Sequence, residues 1–145
     1  MLEAIAASAP RITAQLESSL YVSDLDISMA FYQRVFGFEM LLREDRMVGM
    51  AVPGGTVLLL FRRGGSVQPS ATPGGTIPAH DGHGTLHLCF AVPLAALHDW
   101  ERHLAAQDVP VESRVTQSFG GISLYFRDPD GHSLEVAVPG LWATY

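Results

Sequence analysis

LYVSDLDISMAFYQRVFGFEM, residues 20–40, contains the change of hydrophobic period that decides the fold. Residues 14–22 alternate polar and apolar, the pattern of a strand with one buried face. Asp24 and Asp26 then offer N-cap oxygens, and Ile27, Ala30, Phe31 and Val35 recur at helical spacing, so a helix is expected over about 26–36. Gly37 ends it, because a residue without a Cβ enters the left-handed conformation of a helix C-cap at little cost. Strands are expected next at roughly 38–43, 46–52 and 56–61, parted by Glu44-Asp45 and by Pro53-Gly54-Gly55. The unit reads βαβββ.

It occurs twice. Leu16 to Val22 aligns with Leu86 to Val92 seventy positions later, and Pro53 to Leu59 aligns with Pro129 to Glu135 at an offset of seventy-six. The second copy has a strand at 85–92, a helix near 94–107 with Leu94, Leu97, Trp100 and Leu104 facing inward, and strands near 110–116, 121–127 and 132–138. Asp128-Pro129-Asp130-Gly131 has the residue types of a type I turn. Residues 62–84 lack periodicity and read as a linker, either a solvated crossover or a lid. The expected organisation is a leader at 1–13, one domain at 14–140 (module 1 at 14–61, module 2 at 85–138) and a tail at 139–145. The fold class is α+β, with two tandem βαβββ modules forming a cupped mixed sheet and helices on its outer face.

Composition narrows the function. The chain of 145 residues, 48% apolar and 17% charged, is one ordinary domain able to bury its own core. A net charge of -6 has the wrong sign for binding phosphates by charge neutralisation, which argues against nucleic acid and anionic membranes as partners. No apolar window reaches the roughly 18 residues of a membrane span, and Glu3 without a basic n-region argues against a secretory signal. All nine basic residues are arginine, so no lysine of this chain can form a Schiff base. The single Cys89 excludes an internal disulfide and a multi-cysteine zinc site, in keeping with a cytoplasmic protein.

Strand parity sorts the side chains. Leu16, Leu20 and Val22 share one face of the first strand, Leu86, Leu88, Phe90 and Val92 one face of its repeat, and Leu134, Val136 and Val138 one face of the last. Helices must pack on these faces. The opposite face carries Glu17, Ser19 and Tyr21, then His87, Cys89 and Ala91, then Ser133, Glu135 and Ala137. The repeat makes Glu17 equivalent to His87 and Leu59 equivalent to Glu135, so three of four matching positions are able to bind a metal. Two carboxylates and one neutral imidazole would leave a divalent ion formally neutral. The plainer alternative is an open, wet sheet face with His87 hydrogen-bonded locally.

The same segments, with HLCFAV and GGISLYFRDPDGHSLEV further on, resemble the vicinal oxygen chelate superfamily, which includes glyoxalase I, extradiol dioxygenases, fosfomycin-thiol transferases and bleomycin-binding proteins. The most specific pieces are Val22-x-Asp24-Leu25 leading into Phe31-Tyr32 and Phe36-Gly37-Phe38, and Asp128-Pro129-Asp130-Gly131 followed by Glu135. The resemblance covers about residues 14–140 and implies one divalent ion (Zn, Ni, Mn or Fe) held by Glu17, His87 and Glu135. It also implies a homodimer, with the cup formed within one chain or by exchange between two. Leu59 departs from the four-ligand pattern of the glyoxalase I branch, and Glu17 stands where dioxygenases commonly carry histidine.

The resemblance implies chelation of two neighbouring oxygens of a small hydrophobic or aromatic substrate, followed by non-redox isomerase, lyase or addition chemistry. An extradiol-type ferrous dioxygenase and a metal-free drug or metabolite binding protein of the bleomycin-resistance type are the alternatives. Glu17 is the first candidate for a proton-transferring base and Glu135 the second. Parity places Tyr125 on the cleft face as a donor to an oxyanion, and Arg127 there as a carboxylate partner or as a brace for its turn. Met47, Leu59 and Phe61 form an apolar wall. Cys89, His80 and His83 read as packing or exposed residues before they read as ligands, and His98, His103 and His132 as surface residues. Trp100 belongs to the second helix's buried face, and Trp142 to a covered edge or subunit contact.

Overall fold

A computed structural model describes residues 9–145, so most of the expected leader lies outside the described residues. The chain runs β1 (Glu17–Val22), α1 (Leu25–Phe36), β2 (Glu39–Arg43), β3 (Met47–Val52), β4 (Thr56–Arg62), β5 (Ser70–Thr72), β6 (Gly75–Ile77) and β7 (His87–Ala91). After a 3-10 turn (Leu94–Ala96) come α2 (Leu97–Ala106), β8 (Ser113–Thr116), β9 (Ile122–Arg127) and β10 (Ser133–Ala137). Two four-stranded mixed sheets result, ordered β1-β4-β3-β2 and β7-β10-β9-β8. In each, the first strand runs parallel to the fourth and the remaining neighbours are antiparallel. The α+β class with tandem repeated units is as expected.

The register carries the repeat to the residue. Glu17 pairs with Val57 in the first sheet, and His87 pairs with Ser133 in the second. These partners stand seventy and seventy-six positions apart, the two offsets of the sequence alignment.

Local chemistry sets the helix ends. The Asp24 side chain accepts from the Ile27 N–H at 3.0 Å, and Gly37 closes α1 with φ 69°. The buried face is Leu25, Ser28, Phe31, Tyr32 and Val35, whereas Ile27, expected inward, is 58% exposed. The helix begins at Leu25, and a step of two residues rotates Ile27 by about 200° away from it. Leu94 is likewise exposed, because it sits in the 3-10 turn before α2. β1 starts at Glu17 rather than near residue 14: the Leu16 carbonyl accepts from the Val57 N–H at 2.9 Å, and the turn before Thr56 ends the pairing there.

Both helices feed one core. Phe36 packs against Phe90, Trp100 and Phe126, so the first module's helix meets aromatic rings of the second module. The His103 Nε2–H donates to the Val35 carbonyl at 2.8 Å, which joins the two helices and corrects its reading as a surface residue.

His132 is the larger correction: it is fully buried. Its Nδ1 accepts from the Leu86 N–H at 2.8 Å, so its Nε2–H donates to the Tyr21 carbonyl at 2.8 Å. A single neutral imidazole thus bridges β1 to the entry of β7. The Asp128 to Gly131 turn beside it also docks on the first module. Asp128 accepts from the buried Tyr32 hydroxyl at 2.8 Å, and Asp130 accepts from the Ser23 N–H at 2.9 Å. Burial first, and Asp128 second, push the Tyr32 phenol well above its ordinary range. Residues 62–84 are not a featureless linker, since they contain the β5–β6 hairpin around Pro73-Gly74.

Candidate functional site

The inner faces of the two sheets form two separate clefts. The first, of about 620 Å³, is lined by Glu17, Ser19 and Tyr21 from β1, by Met47 and Gly49 from β3, and by Val57, Leu59 and Phe61 from β4. These alternate along their strands as the parity argument requires. Leu41 and Leu42 also line it although they are consecutive, because the register of β2 shifts between Met40 and Leu42. Arg46, Ile77 and His80 complete the wall.

The second cleft, of about 610 Å³, is lined by His87, Cys89, Tyr125 and Glu135, with Gln117, Phe119 and Trp142 at its rim. Here the chemistry is dense. The His87 Nδ1–H donates to the Ser133 carbonyl at 2.8 Å, because a carbonyl can only accept. That leaves Nε2 facing Glu135 Oε1 at 3.2 Å. In the neutral imidazole this nitrogen is a lone pair, so it and Glu135 Oε1 are two facing acceptors that either a shared proton or a metal cation would join. Glu135 is 3% exposed, and its second oxygen, Oε2, is buried without a hydrogen-bond partner. An unpartnered buried carboxylate oxygen costs about 1–3 kcal/mol or more. A divalent ion at this edge would take both donors, so the residues fit the group that the resemblance implies.

The expected three-residue centre is therefore divided. His87 and Glu135 are together, while Glu17 lies in the other cleft, and among the described residues no three metal-ligating side chains converge. Tyr125 lies by His87, with ring centroids 6.3 Å apart. Its hydroxyl accepts from Gln117 Nε2 at 3.2 Å, so its own proton is free to point into the cleft. Met47, Leu59 and Phe61 share the first cleft.

Arg127 does not line either cleft. It is exposed, bonds Glu112 Oε2 at 2.7 Å and the Gly131 carbonyl at 3.0 Å, and braces the turn. Its guanidinium holds the Glu112 carboxyl below the usual range. Cys89 is exposed as a residue. Partial burial, and then Glu135 beside it, push its thiol up to about 12, so little thiolate forms at neutral pH. His80 and His83 do not act as a pair: His83 faces Asp81 at 3.1 Å, and His80 Nδ1 meets the Tyr21 hydroxyl at 2.7 Å.

Sequence reasoning passed over Gln117, Arg46 and His80 as lining groups. All three sit in turns or crossovers, where no period assigns a face. The Pro78 and Gly82 around His80 were the available sign that its backbone is shaped by close contact.

Comparison with known proteins identifies the family. Residues 12–136 match the pattern of the Glyoxalase/Bleomycin resistance protein/Dioxygenase superfamily, and the chain belongs to it. It is 28% identical to the metallothiol transferase FosB of Bacillus licheniformis over 116 residues, 79% of this chain and 68% of that protein. A solved lactoylglutathione lyase from Agrobacterium tumefaciens is 36% identical with a TM-score of 0.84, covering 92% of this chain and 99% of that one. The fosfomycin resistance protein FosX of Listeria monocytogenes shares the fold, with a TM-score of 0.66 at 21% identity over 90% and 97% of the two chains. No helix among the described residues is long and apolar enough to cross a membrane.

Proposed function

We propose that this protein is a divalent-metal-dependent, non-redox enzyme whose centre forms between two copies of the chain. His87 and Glu135 come from one copy and Glu17 from the other. The observation that carries the reading is the His87–Glu135 pair, with its facing acceptors and the unpartnered Glu135 Oε2. The division of Glu17 from that pair supports completion by a second copy. So do the apolar rims: Leu41, Leu42 and Ile77 around the first cleft and Phe119 and Trp142 around the second are 44–67% exposed in the single chain.

A divalent ion bound there supplies Lewis-acid polarisation of two neighbouring substrate oxygens. The chain supplies the rest. The Ser133 carbonyl holds His87 in one tautomer and orientation. Tyr125, its lone pair taken by Gln117, donates to negative charge that develops on a substrate oxygen. Glu17, on the open strand β1, would hold the ion through one carboxylate oxygen and could take up a proton from the neighbouring substrate carbon on the other. Met47, Leu59 and Phe61 exclude water and select an apolar substrate body. The non-redox reading draws on the named relatives, a thiol transferase and a lyase. A donor set with one histidine and two glutamates differs from the two-histidine facial triad of ferrous oxygenases, which places the dioxygenase reading second.

Subunit complementation tests the proposal. Glu17→Arg and His87→Ala dimers are each expected to lose bound metal. Mixed dimers of the two should regain one ion per two chains, because one of their two sites is intact. Elemental analysis with native mass spectrometry reads the result, and mixed dimers no richer in metal than their parents would refute the shared centre.

A further inference from the structure

The far end of the first cleft holds a cation that the chemistry above leaves unused. Arg46 donates to the hydroxyl of Ser66, which is 3% exposed, and its guanidinium lies over the Phe61 ring at 5.7 Å. Among the described residues no carboxylate forms an ion pair with it. A half-buried arginine that is positioned by a buried hydroxyl, stacked on an aromatic face and without an anionic partner is prepared for an anion from outside.

The crossover builds the opposite wall. The His80 N–H donates to the Ser66 carbonyl at 2.9 Å, and the His80 ring stands edge-on to Phe61 with centroids 4.4 Å apart. Gly82 lies against the Tyr21 ring so closely that a Cβ there would come within 2.3 Å of it. Only glycine permits that approach. Burial, and then Asp81, push the Tyr21 phenol up, and its hydroxyl lies 2.7 Å from His80 Nδ1. His80 Nε2 has no partner among the described residues, and it carries the ring hydrogen in the tautomer whose Nδ1 accepts from Tyr21. Arg46 and His80 both line the cleft, so two kinds of donor are offered to its interior.

We propose that Arg46 and His80 form a carboxylate-binding pole, and that the substrate is a small acid with an apolar middle and two neighbouring oxygens at its other end. One planar fork with one neighbouring N–H suits a singly charged, planar carboxylate, whereas a dianionic phosphonate would call for a second cation. The length follows from the strand. Glu17 and Tyr21 share a face of β1 four residues apart, about 13 Å at 3.3 Å per residue, so the pole and the metal-binding end are separated by roughly that span. Leu59, Phe61 and Met47 occupy the stretch between. The oxygen-bearing end of this substrate class rests on the proposed function, while the carboxylate pole rests on Arg46, His80 and Tyr21 alone.

The test uses probes that lack the chelating end. Full-length protein treated with chelator is titrated calorimetrically with 4-phenylbutyrate, 4-phenylbutanol and 3-phenylpropylphosphonate. The carboxylate is expected to bind at least about tenfold more tightly than the alcohol, the scale of a charge-assisted hydrogen bond, and more tightly than the phosphonate. Arg46→Gln, which keeps a donor for Ser66, should abolish that preference by weakening acid binding far more than alcohol binding, while His80→Phe should reduce it severalfold. A general packing defect would weaken acid and alcohol alike. Equal affinity for acid and alcohol, a preference that survives Arg46→Gln, or tighter binding of the phosphonate overturns the proposal. His87→Ala separates the two readings: without chelator it should bind less metal than the parent, and after chelator treatment it should keep the 4-phenylbutyrate preference. Failure of the metal experiments with a retained preference therefore sinks only the proposed function, and the reverse sinks only the pole.

Discussion

The two clefts rest on sheets of the same strand order and are of nearly equal size, about 620 and 610 Å³. Their chemistry differs position by position. Where the second module has His87 bonded to a backbone carbonyl, the first has the exposed Glu17. Where the second has the buried Glu135, the first has Leu59, and where the second has Cys89, the first has Ser19. Duplication kept the backbone and divided the labour. The second cleft concentrates the groups proposed to hold a cation, and the first offers apolar shape with a single carboxylate and, at one end, Arg46.

The largest effect expected of this asymmetry is in metal binding. His87→Ala or Glu135→Ala should weaken it by on the order of a hundredfold or more, above the effect of an outer-shell partner. Glu17→Ala should cost only about tenfold, since its strand position is open and its carboxylate is not preorganised. Competition against a chromogenic chelator measures all three, and equal losses would erase the distinction between the clefts. Leu59→Glu attacks the difference from the other side by giving the first module the second module's carboxylate. It should tighten metal binding by on the order of tenfold, through an added anionic ligand; unchanged affinity would mean that residue 59 does not approach the ion.

Glu135→Leu makes the second cleft resemble the first. In chelator-treated protein it should raise stability by about 1 kcal/mol, because the buried Oε2 without a partner is removed. Thermal denaturation checks this, and a fall in stability would show that the carboxylate is satisfied without metal. The smallest effect at neutral pH concerns Cys89. Its thiol ordinarily titrates at 9.0 and is pushed up to about 12 in the fold, so the unfolded chain releases that proton first as pH rises. Above about pH 9 the unfolded state binds fewer protons, and stability falls until the folded thiol also ionises near 12. Cys89→Ser should flatten part of this alkaline limb, whereas Ser19→Ala should leave it untouched. Iodoacetamide should also modify Cys89 far more slowly at pH 7.5 than it does a free thiol.

Much of this was legible before folding. Parity alone put Glu17, His87 and Glu135 on inner faces, because side-chain direction on a strand has a period of two that no tertiary contact can alter without a bulge. Asp24 and Gly37 marked the ends of α1 for equally local reasons. His132 was misread although it shares the parity of Leu134, Val136 and Val138 in the expected strand at 132–138; its burial is completed by β1 and the entry of β7 arriving from distant parts of the chain. Arg127 obeyed parity, yet a carboxylate on the segment leading into β8 captured it at the surface.

The sequence by itself determined the repeated βαβββ unit, the strand faces and the residue types of the inner surfaces, since hydrophobic period, capping and turn chemistry act over a few neighbouring residues. Only the tertiary structure decided which of those residues share a cleft. It paired His87 with Glu135, left Glu17 on the other sheet, and folded the crossover so that His80 and Arg46 close one end of it. Such pairings depend on sheet order and on contacts between residues as many as 111 positions apart, as between Tyr21 and His132, and no local pattern encodes a distance of that kind.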